Sequence, residues 1–167
     1  MQKILVSACL LGERVRYDGG HSRVTALEAW QQQGRIISVC PEVAGGLPIP
    51  RPAAEIESGD SKLVLLGRGL IRRADGQDIS DAFIDGAERT LALCFKHHIR
   101  MAILKEGSPS CGVNLVNMGD FSGMKIKGMG VTARLLSQHG ISVFSEHQLD
   151  EAAKQLARLE EESTEPG

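Results

Sequence analysis

Four short apolar runs, each giving way to turn-forming residues, recur along the chain at Lys3–Ser7, Arg35–Val39, Met101–Leu104 and Ile141–Phe144. Runs of this length, rich in β-branched and aliphatic residues and stopped by Gly, Pro or Ser, predict buried strands. Between them the apolar positions change to helical spacing. Leu27 and Trp30 mark a helix over 25–33. Phe83, Ala87, Leu91 and Phe95 fall at four-residue steps and predict the longest helix, over 79–98, with Asp78, Ser80 and Asp81 as capping residues. Two more helices are expected, one from Val131 to His139 and a charged one from His147 to about Glu160, with a frayed tail over 161–167. The stretch from Ala54 to Arg73 has short pieces (LVLLG, LIRR) separated by glycines and reads as hairpin-like β excursions.

Strand–helix alternation predicts an α/β protein: a single Rossmann-like three-layer domain over 1–160, with a mainly parallel sheet and a small β excursion in the middle. Open sheets of this kind bind ligands beyond the carboxyl ends of their strands. Cys9, Cys40 and Cys111 each lie at or just past such an end. They are 31 and 71 residues apart, so only the fold can gather them. Cys94 lies inside the long helix, in LALCFKHH, and reads as a small buried apolar residue.

Composition narrows the partners. Nineteen Lys and Arg against twenty-one Asp and Glu leave a net charge of -2, so there is no cationic excess to neutralise a phosphate backbone, and a stable nucleic-acid partner is not expected. No stretch approaches the ~20 apolar residues of a membrane span. The opening MQKILVSACLLG reads as a buried strand and not as a signal peptide. The expected setting is the cytoplasm, with the chain a monomer or homodimer. In that reducing compartment four cysteines point to metal ligation, thiol catalysis or core packing before disulfides. By residues alone three readings stay open: core thiols, a zinc site completed by His21, or a metal-free nucleophile with a resolving thiol.

Five blocks in order change that balance: VSACLLG-x-x-VRYDGG, VCPEVAGGLPIPRPAAEI, ILKEGSPSCG, FSG-x-x-x-x-GMGVTA-x-LL and GI-x-VFSE. Together they resemble the DUF523 family over about Ile4 to Glu146; its characterised members are thiouracil desulfidases. The resemblance implies a 4Fe-4S cluster held by Cys9, Cys40 and Cys111 with one iron open. It further implies a cluster-dependent, non-redox enzyme that removes sulfur from a thiolated pyrimidine: 2- or 4-thiouracil, or a related nucleoside or nucleotide. Three thiolates leaving a fourth corner free suit a soft sulfur ligand. An iron-sulfur sensing module and a metal-free thiol enzyme are the alternatives.

Catalytic and binding roles follow. Glu42, two residues after Cys40, is the expected general base for the attacking water. Ser108, three residues before Cys111, matches the family's functional serine and is expected to hydrogen-bond the substrate or the departing sulfur. Ser110 is a further substrate candidate. The loop Arg14, Arg16, Tyr17, Asp18 and Gly19 brings cations, a ring and flexible backbone to the mouth of the site. Lys105 and Glu106 are expected to be solvated or paired. Gly128-Met129-Gly130-Val131-Thr132 opens a helix whose free amides are expected to attract an anion, though the run does not spell a dinucleotide-binding fingerprint. Gly45 and Gly46 are expected to allow close backbone approach.

Overall fold

The computed structural model describes residues 1–164. Four strands form the central sheet: β1 (Ile4–Ser7), β2 (Ile36–Val39), β5 (Met101–Leu104) and β8 (Ser142–Ser145), in the order β2-β1-β5-β8. Every pairing within it is parallel, with Ile4 opposite Ile36, Leu5 opposite Ala102 and Met101 opposite Ser142. β1 and β5 are buried along their whole length, which is why they read as unbroken apolar runs.

Alternate strand residues supply two cores. Ile4, Val6, Met101 and Ile103 face one side, where Leu27, Trp30, Ala152, Leu156 and Leu159 cover them. These come from α1 (Glu28–Gln32), the 3-10 turn before it, and α6 (Leu149–Thr164). Leu5, Ala102 and Leu104 face the other side, against Leu91, Cys94, Ala133 and Leu136 from α4 (Ser80–Lys96) and α5 (Val131–Gln138). Period-two alternation in the strands therefore fixes which residues each helix layer covers, giving the expected three-layer α/β arrangement. α6 continues to Thr164, beyond the point where a frayed tail was expected; 165–167 lie outside the described residues.

The long helix departs from its expected face at one point. Phe95 is 57% exposed, and its ring meets His139 edge-on, whereas Cys94 is fully buried. A four-residue step overshoots a 3.6-residue turn by about 40°, so three steps from Phe83 carry Phe95 about 120° off the buried stripe, while Cys94 stays within about 20° of it.

The middle of the chain is only partly β. β3 (Ala54–Ile56) pairs antiparallel with β4 (Ile71–Arg73), as expected, but LVLL lies in helical structure between them: α3 spans Ser61–Leu65. Asp60 caps α3, accepting from the amides of Lys62 and Leu63, and this local signal outweighs the β-like composition. A second antiparallel pair, β6 (Leu115–Asn117) with β7 (Lys125–Lys127), follows β5. Among the described residues no helix is long and apolar enough to cross a membrane.

Candidate functional site

The carboxyl end of the sheet carries all three expected thiols. β1 runs directly into a 3-10 turn, Ala8–Leu11, which holds Cys9. The Cys9 carbonyl accepts from the amide of Ser22 at 2.8 Å, tying the intervening 14–20 loop back onto this turn. β2 ends at Cys40, the N-cap of the short helix α2 (Pro41–Ala44), with Pro41 in the first turn, where its missing N–H costs nothing. That turn places Glu42 beside Cys40. α2 rests on α4 backbone to backbone: a Cβ on Gly86 would lie 2.0 Å from the Pro41 carbonyl oxygen, and one on Gly45 2.0 Å from that of Ala82. The close approach expected at Gly45 is therefore a helix contact that seats Cys40 and Glu42.

Cys111 arrives on the loop after β5. The Ser108 hydroxyl accepts from the amides of Ser110 (3.0 Å) and Cys111 (3.1 Å), so its own proton is free to be donated elsewhere. α5 closes this loop from below. The amides of Gly130, Val131 and Thr132 donate to the carbonyls of Gly112, Pro109 and Ser110. The helix start expected to attract an anion is thus already satisfied by backbone. Only glycine fits at 130, since a Cβ would lie 2.4 Å from the Ser110 carbonyl oxygen.

These elements enclose a cavity of about 530 Å³ whose wall includes Cys9, Cys40, Cys111, Glu42, Ser108, Arg16 and Tyr17. Ser110 lies behind that wall, fully buried, with its hydroxyl 2.8 Å from that of Thr132; its role is to hold the loop on α5. Arg14 is exposed and off the wall. Asp18 shapes the turn instead of lining it, accepting from the Gly20 amide at 2.8 Å, and the Gly19 amide is taken by the Arg16 carbonyl. Arg16 is held by Ser22 at 2.8 Å. His21, the candidate fourth ligand in the zinc alternative, is exposed and also off the wall, its Nδ1 accepting from the Arg23 amide. Among the described residues no three His, Cys, Asp or Glu side chains are close enough to grip a single metal ion.

Burial dominates the electrostatics. It pushes the Cys9 thiol up to about 11, with the neighbouring Cys40 adding to the shift. Cys40 is raised by burial and Glu42 against the helix amides of Val43 and Glu42 and the charge of Arg51. Cys111 is raised by burial, the Ser7 hydroxyl opposing it and Cys40, Glu42 and Cys9 adding to it. All three thiols line the same cavity. Burial also raises the Glu42 carboxyl above its ordinary range, opposed by the Arg51 guanidinium 3.4 Å away.

Arg51 is a site residue that sequence reasoning missed. It is 7% exposed and ties together three parts of the wall: Glu42, the Val15 carbonyl at 2.9 Å, and Cys40 Sγ at 3.9 Å. The only sequence signal was a cation bracketed by Pro50 and Pro52. Ser7, Lys125 and His147 also reach the wall unforeseen. Lys105 is paired as expected, its Nζ 2.9 Å from Glu146.

The donor set fits an iron-sulfur cluster. All three cysteines are free of disulfides, come from three separate strand ends and face one cavity, and thiolate sulfur is the ligand such clusters take. A metal bound there would deprotonate the thiols on coordination, whatever burial does to their proton affinity.

A parallel sheet between two helix layers that gathers thiols from separate strand ends around one cavity, beside a half-buried carboxylate, defines a thiol-lined α/β protein. The chain belongs to the 2-thiouracil desulfurase family, whose model matches residues 4–148. It is similar to the uncharacterized protein YbbK of Bacillus subtilis (strain 168), with 42% identity over 148 residues, 89% of this chain and 98% of the relative. It also matches the solved structure of the 4Fe-4S-dependent thiouracil desulfidase TudS (DUF523Vcz), with 46% identity and a TM-score of 0.86 over 94% of this chain and 99% of that one.

Proposed function

We propose that this protein is an iron-sulfur-dependent, non-redox desulfidase that converts a thiolated pyrimidine such as 2- or 4-thiouracil, or its nucleoside or nucleotide, to the oxo form with release of hydrosulfide. The observation that carries this reading is the convergence of Cys9, Cys40, Cys111, Glu42 and Ser108 on one cavity in a chain of this family. In this reading Cys9, Cys40 and Cys111 hold a 4Fe-4S cluster. When bound, the cluster supplies a soft Lewis acid for the substrate's sulfur.

The chain's own residues do the remaining work. Glu42 takes a proton from water as the water oxygen bonds to the thiocarbonyl carbon; burial gives this carboxylate a raised proton affinity and Arg51 keeps it in place. As the carbon–sulfur bond breaks, Glu42 returns that proton to sulfur and accepts the one left on the new oxygen. One water enters, one hydrosulfide and one proton leave, and no electrons are exchanged. Ser108 donates its free hydroxyl proton to the substrate. Arg16 and Tyr17, also on the wall, offer a cation and a ring face to a pyrimidine. A reducing cytosol suits four free thiols.

Anaerobically reconstituted protein should convert 4-thiouracil to uracil with one hydrosulfide per turnover. Cys9→Ser, Cys40→Ser and Cys111→Ser should each lose iron, because alkoxide is a hard replacement for thiolate, whereas Cys94→Ala should keep it. Turnover that survives complete iron chelation would overturn the reading in favour of a metal-free thiol enzyme.

A further inference from the structure

Glu106 stands two residues beyond β5, at the root of the loop that carries Cys111. Its Oε1 accepts the amides of Gly107 (3.2 Å), Val113 (2.8 Å), Asn114 (2.9 Å) and Leu115 (3.0 Å), and its Oε2 accepts the Asn114 side-chain amide (2.9 Å). Gly107 precedes Cys111 and the other three follow it, so one carboxylate ties both flanks of the loop together. The base of the clamp is itself fixed: the Glu106 amide donates to Glu146 Oε1 at 2.8 Å, just past β8, and Glu146 pairs with Lys105. Ser108 braces the same loop from inside through the amides of Ser110 and Cys111.

Glu106 touches the cavity wall, yet its lone pairs are committed to these donors. Burial acting on its own would raise its proton affinity, but the amides of Leu115, Asn114 and Val113 bring the carboxyl below its ordinary range. A carboxylate so fully engaged is built to hold backbone and makes a poor proton acceptor for a water.

We propose that Glu106 is the positioning residue of the third thiol: it holds the Cys111 loop in its ligating shape before any metal arrives. The inference rests on the reading of Cys111 as a cluster ligand. It gives Glu106 and Glu42 opposite tasks on the same wall.

The test compares wild type, Glu106→Ala and Glu106→Gln. Amide hydrogen exchange at 113–115 is measured in the metal-free full-length protein, and the rate of iron transfer to a chelator is measured in anaerobically reconstituted protein. In Glu106→Ala, protection at 113–115 should fall and iron should leave about 10- to 100-fold faster, the usual effect of removing a group that orients a metal ligand. Glu106→Gln keeps one acceptor oxygen for the four amides on Oε1, so it should fall between Ala and wild type in both measurements. Lost protection with an unchanged iron-release rate, or no change in either, would overturn the inference. Should Glu106→Ala fail to melt cooperatively, Glu106→Gln carries the test, and wild-type iron release from it is the overturning result. Full iron retention by Cys111→Ser would instead sink the ligand assignment itself, an outcome that separates the two failures.

Discussion

Glu42 is the residue at which chemistry and structure are easiest to separate. Its side chain is 17% exposed and pairs with Arg51, whose side chain is 4% exposed. Glu42→Gln keeps the size and much of the hydrogen bonding while removing the ability to take a proton. Iron content and the melting temperature should stay near wild type, and turnover of 4-thiouracil should fall on the order of 10²- to 10⁴-fold. Thiouracil should still perturb the cluster's visible spectrum. Near-normal turnover would assign the proton to another group. The proposed role of Glu42 was readable because two residues of sequence tie it to Cys40, whereas Arg51, eleven residues on, is brought to Cys40 only by the chain's return through the 45–51 segment. The same limit explains Ser110. Pro109 separates two serines that look alike in sequence, and only the seating of the loop on Thr132 shows that one hydroxyl faces inward.

Elements were legible where burial is two-sided and obscured where local capping or hairpin geometry decides. β1 and β5 are buried on both faces, so composition alone marks them. β6 and β7 span three residues each, with one inward side chain apiece, Val116 and Ile126, and a run of three is too short for its alternation to be told from chance. α2 was hidden for another reason: four residues cannot show a helical repeat, and what locates this helix is its contact with α4. That contact yields a prediction. Glycine to alanine inside a helix ordinarily stabilises by roughly 0.5–1 kcal/mol, but at Gly86 the added methyl would meet the Pro41 carbonyl at 2.0 Å. Gly86→Ala should therefore destabilise, by about 1–3 kcal/mol as overpacked sites do, and should weaken iron retention by displacing Cys40. A melting temperature at or above wild type would show that α2 can yield without moving its thiol.

On the scale of the whole molecule, the cavity lies where the cores on the two sheet faces meet. Cys9 packs in the core beneath α6, Cys111 in the core beneath α4 and α5, and Cys40 joins them from the edge strand β2. Neither core needs a metal for cohesion, since fully buried aliphatic side chains such as Ile4, Leu5, Met101, Ile103, Leu104 and Leu136 fill them. This differs from small zinc domains, whose metal substitutes for a core and whose metal-free chains are unfolded. The chain stripped of iron should thus keep its far-UV circular dichroism and melt in one cooperative transition. The loaded form should melt higher, because a ligand that binds only the folded state adds RT ln(1 + [L]/Kd) to its stability, and each kcal/mol is worth roughly 2–4 °C at this chain length. Paired thermal melts of anaerobically reconstituted and chelator-stripped protein measure both quantities. A stripped protein without a cooperative transition would mean that the three strand ends converge only around the metal, and identical melting temperatures would mean that the thiols do not bind it in the folded state.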